Sequence, residues 1–358
     1  MDGGAHGVGT CGQDLIDEWE SRLLPGTILR MHCYDEFHAS SHLSARSGLV
    51  WVLGRIWGYA IENTKRKPVM QVTTQLTLAD NLPLTCSRSG TCCHGKSVRL
   101  NPWELACLAE AKELTPRAFR DRYCDFGGIY LRFDGAPGWK EQSACSQYVP
   151  GSGCSVHSGR PLVCRLYPLG RQRQGEDVYY IHQGSDFPCL EGCPEVVSLP
   201  TLSVGAYIDG QKTRPFERAQ DAYLELMQTL ADSAFVLLLE SGLAESGDRK
   251  TLRLWRKMGN ERPEHLAKRL GSEWIDLLML PELNYARKDP VAFSGQHADL
   301  LLTKAQESFG RLHKLGDISA ASARMMGLAL HLGRGLGANP PDLAELWIKT
   351  AKQHGALD

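Results

Sequence analysis

The sequence Cys86-Ser-Arg-Ser-Gly-Thr-Cys92-Cys93-His94-Gly95 opens the stretch around which this chain is organised. More cysteines follow in loops rich in Gly, Ser and Pro, and the stretch closes on a Cys-x3-Cys-Pro sequence. Eight of the twelve cysteines belong to this set: Cys86, Cys92, Cys93, Cys145, Cys154, Cys164, Cys189 and Cys193. Cysteines that serve only as core residues occur singly on helix or strand faces, so clustering in loops indicates chemistry.

Two kinds of chemistry suit this set, a disulfide framework or a metal site. Residues 1–10 are rich in Gly and contain no Lys or Arg, unlike the charged start of a secretory leader. A chain of 358 residues also buries a sizeable core without disulfide bonds. We therefore expect a metal site, in a protein of the reducing cytoplasm.

The charge balance bears on the partners. Forty Lys and Arg face 41 Asp and Glu, which predicts neither a nucleic-acid groove nor a polybasic membrane anchor. The apolar run Leu49 to Ile61 is interrupted by Arg55 and is too short to span a bilayer. We expect no nucleic-acid partner and no membrane association.

The number of thiols bears on the metal. A structural zinc takes four ligands, whereas eight thiolates suffice for two four-thiolate sites. The adjacent pair Cys92 and Cys93 requires a sharp backbone bend, which Gly90 and Gly95 would permit, and it would serve one site or bridge two. We favour an iron–sulfur cluster, [4Fe–4S], in one or two copies. Zinc is the alternative.

Cationic and imidazole side chains near the cysteines are further candidates. Arg160 and Arg165 flank Cys164 and would bind the cofactor by donating hydrogen bonds to thiolate or cluster sulfur. A salt bridge to a nearby acid is the other interpretation of each arginine. His94 and His157 are candidates to replace a thiolate, although an ordinary structural histidine is the more common outcome.

The cysteine block resembles the YkgJ-type family of zinc- or iron-chelating cysteine-cluster proteins. The resemblance rests on the first cysteine, the glycine and the double cysteine, and then on Cys145, Cys154, Arg160-Pro161, Cys164-Arg165 and Tyr167-Pro168. It covers roughly residues 85–194, and many members have a further cysteine where this chain has Ser89. The block is also distantly similar to flagellin lysine N-methylases. That similarity implies an iron–sulfur cluster, S-adenosylmethionine and a protein or peptide substrate.

Local signals outline the first half of the chain. We assign 1–80 to an N-terminal extension, in part disordered, and 81–200 to the cysteine-rich metal-binding domain. An N-cap, a proline and a capping-box acid at Asn101-Pro102-Trp103-Glu104 predict a helix start. Thr115-Pro116 predicts a second helix that ends near Tyr123. Strands are predicted at Val69–Leu78, Gly128–Phe133 and Asp177–His182, and a short helix at Gln13–Leu24.

Amphipathic helices are predicted to form the second half, divided into 201–295 and 296–358. An apolar stripe consists of Phe216, Ala219, Tyr223, Met227, Leu230, Ala234 and Leu237. Further helices are predicted near Arg253, at Glu264–Leu280 and at Ala298–Leu315. Small residues around Gly327 and Gly333, with Trp347, resemble a Sel-one-like unit of the tetratricopeptide class, and Ala305 to Ala320 resembles half of another. The predicted fold is α+β, mostly α, with an all-helical, tetratricopeptide-like C-terminal region.

Two functions follow from this organisation. One is an enzyme in which the metal supports group transfer or redox chemistry on a protein or peptide, with no catalytic residue identified. The other is a non-catalytic, zinc-stabilised module that binds a partner protein through its C-terminal helices.

Overall fold

The computed structural model describes residues 74–82, 90–174, 177–182, 201–283 and 289–358. Its strands are β1 (Thr74–Leu76), β2 (Cys124–Asp125), β3 (Tyr130–Leu131), β4 (Gly135–Pro137), β5 (Ser143–Ala144), β6 (Tyr148–Val149), β7 (Gly153–Cys154), β8 (Leu169–Gln174) and β9 (Asp177–His182). Its helices are α1 (Pro102–Ala111), α2 (Pro116–Tyr123), α3 (Leu162–Leu166), α4 (Val204–Gln211), α5 (Arg214–Leu239), α6 (Lys250–Gly259), α7 (Pro263–Leu270), α8 (Ser272–Met279), α9 (Pro290–Phe309), α10 (Leu315–Gly335) and α11 (Pro340–Gln353). The predicted helix at 13–24 lies outside these residues.

Capping chemistry places the first two helices where the sequence predicts them. The Asn101 side chain accepts a hydrogen bond from the Glu104 amide at 2.9 Å, and the Glu104 carboxylate accepts one from the Asn101 amide at 3.1 Å. This is a complete capping box. Thr115 caps α2 by accepting from the Ala118 amide, and α2 ends at Tyr123.

The strands are short and antiparallel. β9 lies between β1 and β8, and the pairs β2–β3, β4–β5 and β6–β7 form separate hairpins. The predicted strand Asp177–His182 is confirmed as β9, with the same first and last residues. Only Tyr130–Leu131 of the predicted strand Gly128–Phe133 is a strand, because Gly127 and Gly128 turn the chain with φ of 77° and 118°. Of the predicted strand Val69–Leu78, residues 69–73 lie outside the described ranges, and β1 ends at Leu76.

Helix α5 is the centre of the helical layer, which consists of α4 to α11. It packs most extensively against α10 and next against α9. The predicted stripe from Phe216 to Ala234 is buried, whereas Leu237 is half-buried and Leu238 takes the core position. Among the described residues, α5 is the one helix long and apolar enough to cross a membrane. Its buried face supplies the core of this layer, which accounts for its apolarity without a bilayer.

The predicted helix Glu264–Leu280 is two helices, α7 and α8. They are separated at Gly271, whose φ of 87° and ψ of 154° are incompatible with a continuing helix. The predicted helix Ala298–Leu315 also differs from the observed one. Helix α9 begins earlier, at Pro290, and ends at Phe309, while Leu315 begins α10. The helical spacing of apolar residues does not reveal these breaks, because the same spacing continues across them.

Replacing Gly271 with Ala is expected to lower the free energy of unfolding by about 1–3 kcal/mol. An added Cβ would meet no atom within 4 Å, so the whole cost would come from backbone conformation. Gly316→Ala is the matched control, since Gly316 is helical and equally open, and alanine is expected to stabilise α10 slightly. Urea denaturation of the three proteins measures the difference. Equal stability of the two variants would contradict the expectation.

Close helix approaches occur at small residues, but they are not confined to the predicted helix pair. A Cβ at Gly333 of α10 would lie 2.8 Å from Leu343 of α11, as a close pairing of these helices requires. A Cβ at Gly327 would instead meet Leu270 of α7, and one at Gly335 would lie 2.7 Å from the Leu100 carbonyl oxygen. The tetratricopeptide-like assignment therefore stays a prediction.

The helical layer and the cysteine-rich segment share one hydrophobic core. Trp103 of α1 packs edge-on against Phe216 of α5, with ring centroids 4.9 Å apart. Leu100 and Trp347 belong to the same buried cluster. The described part of the chain is mostly helical with small sheets, which confirms the α+β, mostly α class. The four-segment division of the chain stays a prediction.

Candidate metal centre

Five of the eight predicted metal-binding cysteines lie on four neighbouring segments of the described chain. Cys92 and Cys93 occupy a single 3₁₀ turn at Thr91–Cys93, Cys154 ends β7, and Cys164 is in α3. Cys145 follows β5 directly. These five residues are called the thiol cluster below. Cys86, Cys189 and Cys193 lie outside the described residues.

Main-chain hydrogen bonds bring the loops together. The Cys145 amide donates to the Cys93 carbonyl oxygen at 2.7 Å, next to an antiparallel bridge between His94 and Ala144. Cys154 pairs with Tyr148 in the β6–β7 hairpin. The ring of Tyr148 in turn lies edge-on to His94, with centroids 4.9 Å apart. Three loops separated in sequence are thereby fixed around one location.

The bend at the double cysteine depends on two glycines, as the sequence predicts. Gly90 has a φ of 80° and Gly95 a φ of 64°, both in the region that favours glycine. A Cβ at Gly90 would lie 2.6 Å from the Tyr148 ring. A side chain at this position would therefore be strained and would also collide with the ring that packs against His94.

The thiols of the cluster influence one another electrostatically. A hydrogen bond with the Cys93 thiol lowers the pKa of Cys92 to about 6, opposed by burial and assisted by Lys96 and Arg160. The same hydrogen bond, together with burial, raises the pKa of Cys93. Burial raises the pKa of Cys145 to about 11 and that of Cys164 well above its ordinary value. In the metal-free protein one thiolate, at Cys92, is therefore expected among largely neutral thiols at pH 7.

In reduced, metal-free protein, Cys92 is expected to be the fastest of the cluster thiols to react with iodoacetamide at pH 7. Its rate should rise with pH through about 6 and then level off, since the thiolate is the reacting species. Cys145, whose pKa is raised to about 11, should react slowly throughout. Peptide mass spectrometry after brief labelling between pH 5 and 9 measures both rates. A common midpoint near pH 8.5 for the two cysteines would contradict this expectation.

The two predicted cofactor-binding arginines have different surroundings. Arg160 donates to the Gln211 side chain at 2.9 Å, while its buried Nε has no hydrogen-bond partner among the described residues. Its positive charge assists the Cys93 hydrogen bond in lowering the pKa of Cys92, and it opposes the rise that burial causes in the pKa of Cys154 and of Cys164. Arg160 is thus close enough to the thiols to offset the negative charge of bound thiolates.

Arg165 is held by main-chain carbonyl groups. Its guanidinium donates to the carbonyl oxygens of Arg160 at 2.7 Å, Gln211 at 2.8 Å and Ser158, and it lies 3.9 Å above the Phe216 ring centroid. These hydrogen bonds connect the loop before α3 to the end of α4. In this structure the side chain braces the loop, and direct binding of a cofactor stays a prediction.

The two candidate histidines also differ. His94 is buried, and its Nδ1 has no hydrogen-bond partner among the described residues. His157 is exposed in the short 3₁₀ turn before α3. Of the two, only His94 has the buried, unsatisfied nitrogen that calls for an explanation such as a metal or water partner.

The donor set suits a thiophilic metal. Several converging thiols are the ligands that zinc and iron–sulfur clusters take, and metal binding would displace their protons. As placed, however, no three His, Cys, Asp or Glu side chains within the described ranges are grouped closely enough to hold an ion. The chemistry of the donors therefore fits a metal, with Cys86, Cys189 and Cys193 still to be added.

Comparison with known families supports this chemistry. Residues 85–181 match the CxxCxxCC family, a putative zinc- or iron-chelating domain. The match covers the thiol cluster and ends within β9, before the helical layer. Searches of curated proteins and of solved structures gave no match.

The chain departs from the CxxCxxCC pattern at one position. Its residues run Cys86-x2-Ser89-x2-Cys92-Cys93, so serine replaces the second cysteine. In residues 86–93 this chain therefore has one cysteine fewer than the family pattern, so the ligand set cannot be copied from that pattern.

The sequence analysis missed one residue that contacts the cysteine-containing helix α3. Glu104 was assigned only to the capping box, yet its second carboxylate oxygen accepts a hydrogen bond from the Leu162 amide at 2.7 Å. Leu162 is the first residue of α3, the helix that carries Cys164. No local signal reveals this contact, because the two residues are 58 positions apart.

A cleft of about 570 Å³ is lined by residues outside the thiol cluster. Its lining residues are Arg120, Asp121, Cys124, Gly127, Ala267, Lys268, Ser272, Ile275 and Asp276. The lining includes Cys124, a buried thiol whose pKa burial raises to about 12, and the ion pair between Arg120 and Asp276. Opposite charges are already paired there, so the cleft shows no preference for one sign of ligand charge.

Proposed function

We propose that the cysteine-rich domain binds a metal centre through Cys92, Cys93, Cys145, Cys154 and Cys164, completed by Cys86, Cys189 and Cys193. The observation that carries this proposal is that five thiols from four segments lie near enough to shift one another's pKa values, under the positive charge of Arg160. A disulfide framework is the less suitable interpretation, because a chain of 358 residues buries a sizeable core without disulfide bonds.

The metal is best explained as an iron–sulfur cluster. Five described thiols already exceed the four ligands of a structural zinc, and three further cysteines are available in the sequence. One or two [4Fe–4S] clusters would use this number. A zinc ion held by four of the thiols is the alternative.

Anaerobic purification of the full chain, followed by iron, zinc and acid-labile sulfide analysis, tests the proposal. An iron–sulfur centre predicts iron and sulfide in comparable amounts and visible absorption that dithionite bleaches. Stoichiometric zinc in a colourless protein without sulfide would instead establish the alternative metal. Complete disulfide pairing without any metal, in protein from a reducing cytosol, would overturn metal binding altogether.

For the role of the metal we propose chemistry on a protein or peptide, by group transfer or redox reaction, with S-adenosylmethionine as a possible co-substrate. What supports an enzyme is the resemblance to flagellin lysine N-methylases. What supports the zinc-stabilised interaction module is the bracing of the segment around Cys164, by Arg165 against α4 of the helical layer and by Glu104 against α1.

Replacement of Cys93 with Ser separates these two roles. A folded variant that has lost its spectrum and any S-adenosylmethionine binding, measured by equilibrium dialysis, favours the enzyme. A variant that unfolds when the metal is lost favours the module. Cys107→Ser, which changes a half-buried thiol outside the cluster, is the control for both.

We further propose a cytoplasmic protein that uses its helical layer to bind a protein partner or substrate, without nucleic acid or membrane. The reducing cytoplasm would keep the cluster thiols free, and the near-neutral charge of the chain provides no electrostatic attraction to phosphate groups. Fractionation of cells, combined with crosslinking of the full-length protein to its neighbours, tests these points.

A further inference from the structure

A chain of buried hydrogen bonds connects the helix of Cys164 to the helical layer. The Leu162 amide donates to Glu104, whose other oxygen accepts from the Asn101 amide. The Asn101 side chain reaches Gln220 of α5 at 3.5 Å, and Gln220 donates to the Leu336 carbonyl oxygen at 2.8 Å. Asn101, Glu104 and Gln220 are each less than a tenth exposed.

Glu104 is the member of this chain that contacts the metal-binding segment. It is 3% exposed, and burial raises its pKa to about 7, although its two amide hydrogen bonds and the charge of Arg165 oppose that rise. A carboxyl group in such surroundings is costly to bury without a compensating contact. Its short 2.7 Å hydrogen bond to Leu162, at the first residue of α3, supplies one.

Helix α3 needs such support because it is only five residues long. Besides Glu104, its first turn is held by main-chain bonds from the Cys164 and Arg165 amides to the Pro161 carbonyl oxygen, at 3.0 and 3.1 Å. Cys164 lies two residues after Leu162, so any displacement of the helix start is transmitted directly to its sulfur. A thiol that must converge with four others tolerates little displacement.

We infer that Glu104 is a positioning residue for the metal centre, which fixes the start of α3 and thereby holds Cys164 in place for the metal. This inference rests on the proposed metal-binding function. The described hydrogen bonds of the Glu104 carboxylate go to main-chain amides, and on this view Glu104 does not bind the metal. Its effect passes through Leu162 and the main chain of α3.

Glu104→Gln is the variant that tests this role, because the side chain is nearly isosteric but replaces one of the two accepting oxygens, which face the Leu162 and Asn101 amides, with an NH2 donor. Thr115→Ala is the matched control. It removes the N-cap of the neighbouring helix α2 without touching α3. Full-length variants are loaded with metal anaerobically, and the rate of metal loss to a chelator is compared with the unfolding temperature.

The expected result is that E104Q loses metal about tenfold faster than the original protein, the size typical of residues that orient metal ligands. T115A should lower the unfolding temperature but retain metal at the original rate. Equal rates of metal loss in E104Q and the original protein would overturn the inference, as would equally accelerated loss in both variants.

A second readout does not depend on metal. In reduced, metal-free protein, E104Q should increase the alkylation rate of Cys164 but leave that of Cys154, on a separate hairpin, unchanged relative to T115A. If the original protein binds no metal but Cys164 is selectively exposed by E104Q, the proposed function fails and the positioning role stands. An equal increase at both cysteines would indicate general loosening and would overturn the positioning role.

Discussion

Replacement of Cys164 with Ser is expected to remove most of the bound metal, weakening metal binding by about a hundredfold. Structural metal sites have apparent binding free energies of about 10–16 kcal/mol, so one of four ligands accounts for roughly 3 kcal/mol. The serine hydroxyl is a poor substitute, since zinc and iron–sulfur centres require a thiolate at such a position.

The measurement is metal content per chain after dialysis against a series of chelator concentrations. Cys107→Ser is the control, since Cys107 lies half-buried on α1, outside the thiol cluster, and should retain its metal. Retention of metal by C164S at the affinity of C107S would show that Cys164 is not a ligand. The centre would then have to be built from the remaining cysteines.

Replacement of Trp347 with Ala is expected to lower the free energy of unfolding by about 3–5 kcal/mol. Trp347 is fully buried on α11, which packs against α6, α10 and α5. Its neighbours have little freedom to close the cavity, because α6 already approaches α11 so closely that a Cβ at Gly259 would lie 2.7 Å from Ala344. The cost should therefore fall in the upper part of the usual range for large-to-small changes.

Urea denaturation of the full chain, followed by far-ultraviolet circular dichroism, measures this loss. Leu357→Ala is the control, since Leu357 is 40% exposed in the same C-terminal segment and should change stability by less than about 0.5 kcal/mol. A loss below about 1 kcal/mol for W347A would contradict the shared core. If the loss is large, fluorescence of the thiol loops labelled at Cys92 should follow the same transition, because both segments belong to one buried cluster.

Local chemistry allowed several elements to be predicted from the sequence. The starts of α1 and α2 depend on an N-cap and a proline a few residues apart, and these interactions form within one turn. The strand Asp177–His182 and the buried stripe of α5 follow from periods of two and 3.6 residues. The grouping of eight cysteines within one stretch was likewise visible in the sequence, since it depends on composition and spacing alone, but their placement in loops was not general, because Cys154 is in β7 and Cys164 is in α3.

Breaks within continuous patterns were harder to predict. Gly271 separates α7 from α8 through its own backbone angles, yet an isolated glycine inside a helical pattern is often tolerated. The end of α9 at Phe309 and the start of α10 at Leu315 were missed for a similar reason. An apolar repeat specifies which face of a helix is buried, but it does not specify where the helix stops.

The sequence by itself therefore determined the starts of α1 and α2, the core stripe of α5 and the set of thiols available for a metal. Only the tertiary structure decided which groups meet those thiols. Arg165 was expected to donate to cluster sulfur or to form a salt bridge with an acid, and its described hydrogen bonds go to carbonyl oxygens of α4 and of the loop before α3. Glu104, a capping residue by its sequence, also holds the helix of Cys164. Contacts such as that between Glu104 and Leu162 join residues far apart in the chain, so they arise from the packing of whole elements and leave no trace in local spacing.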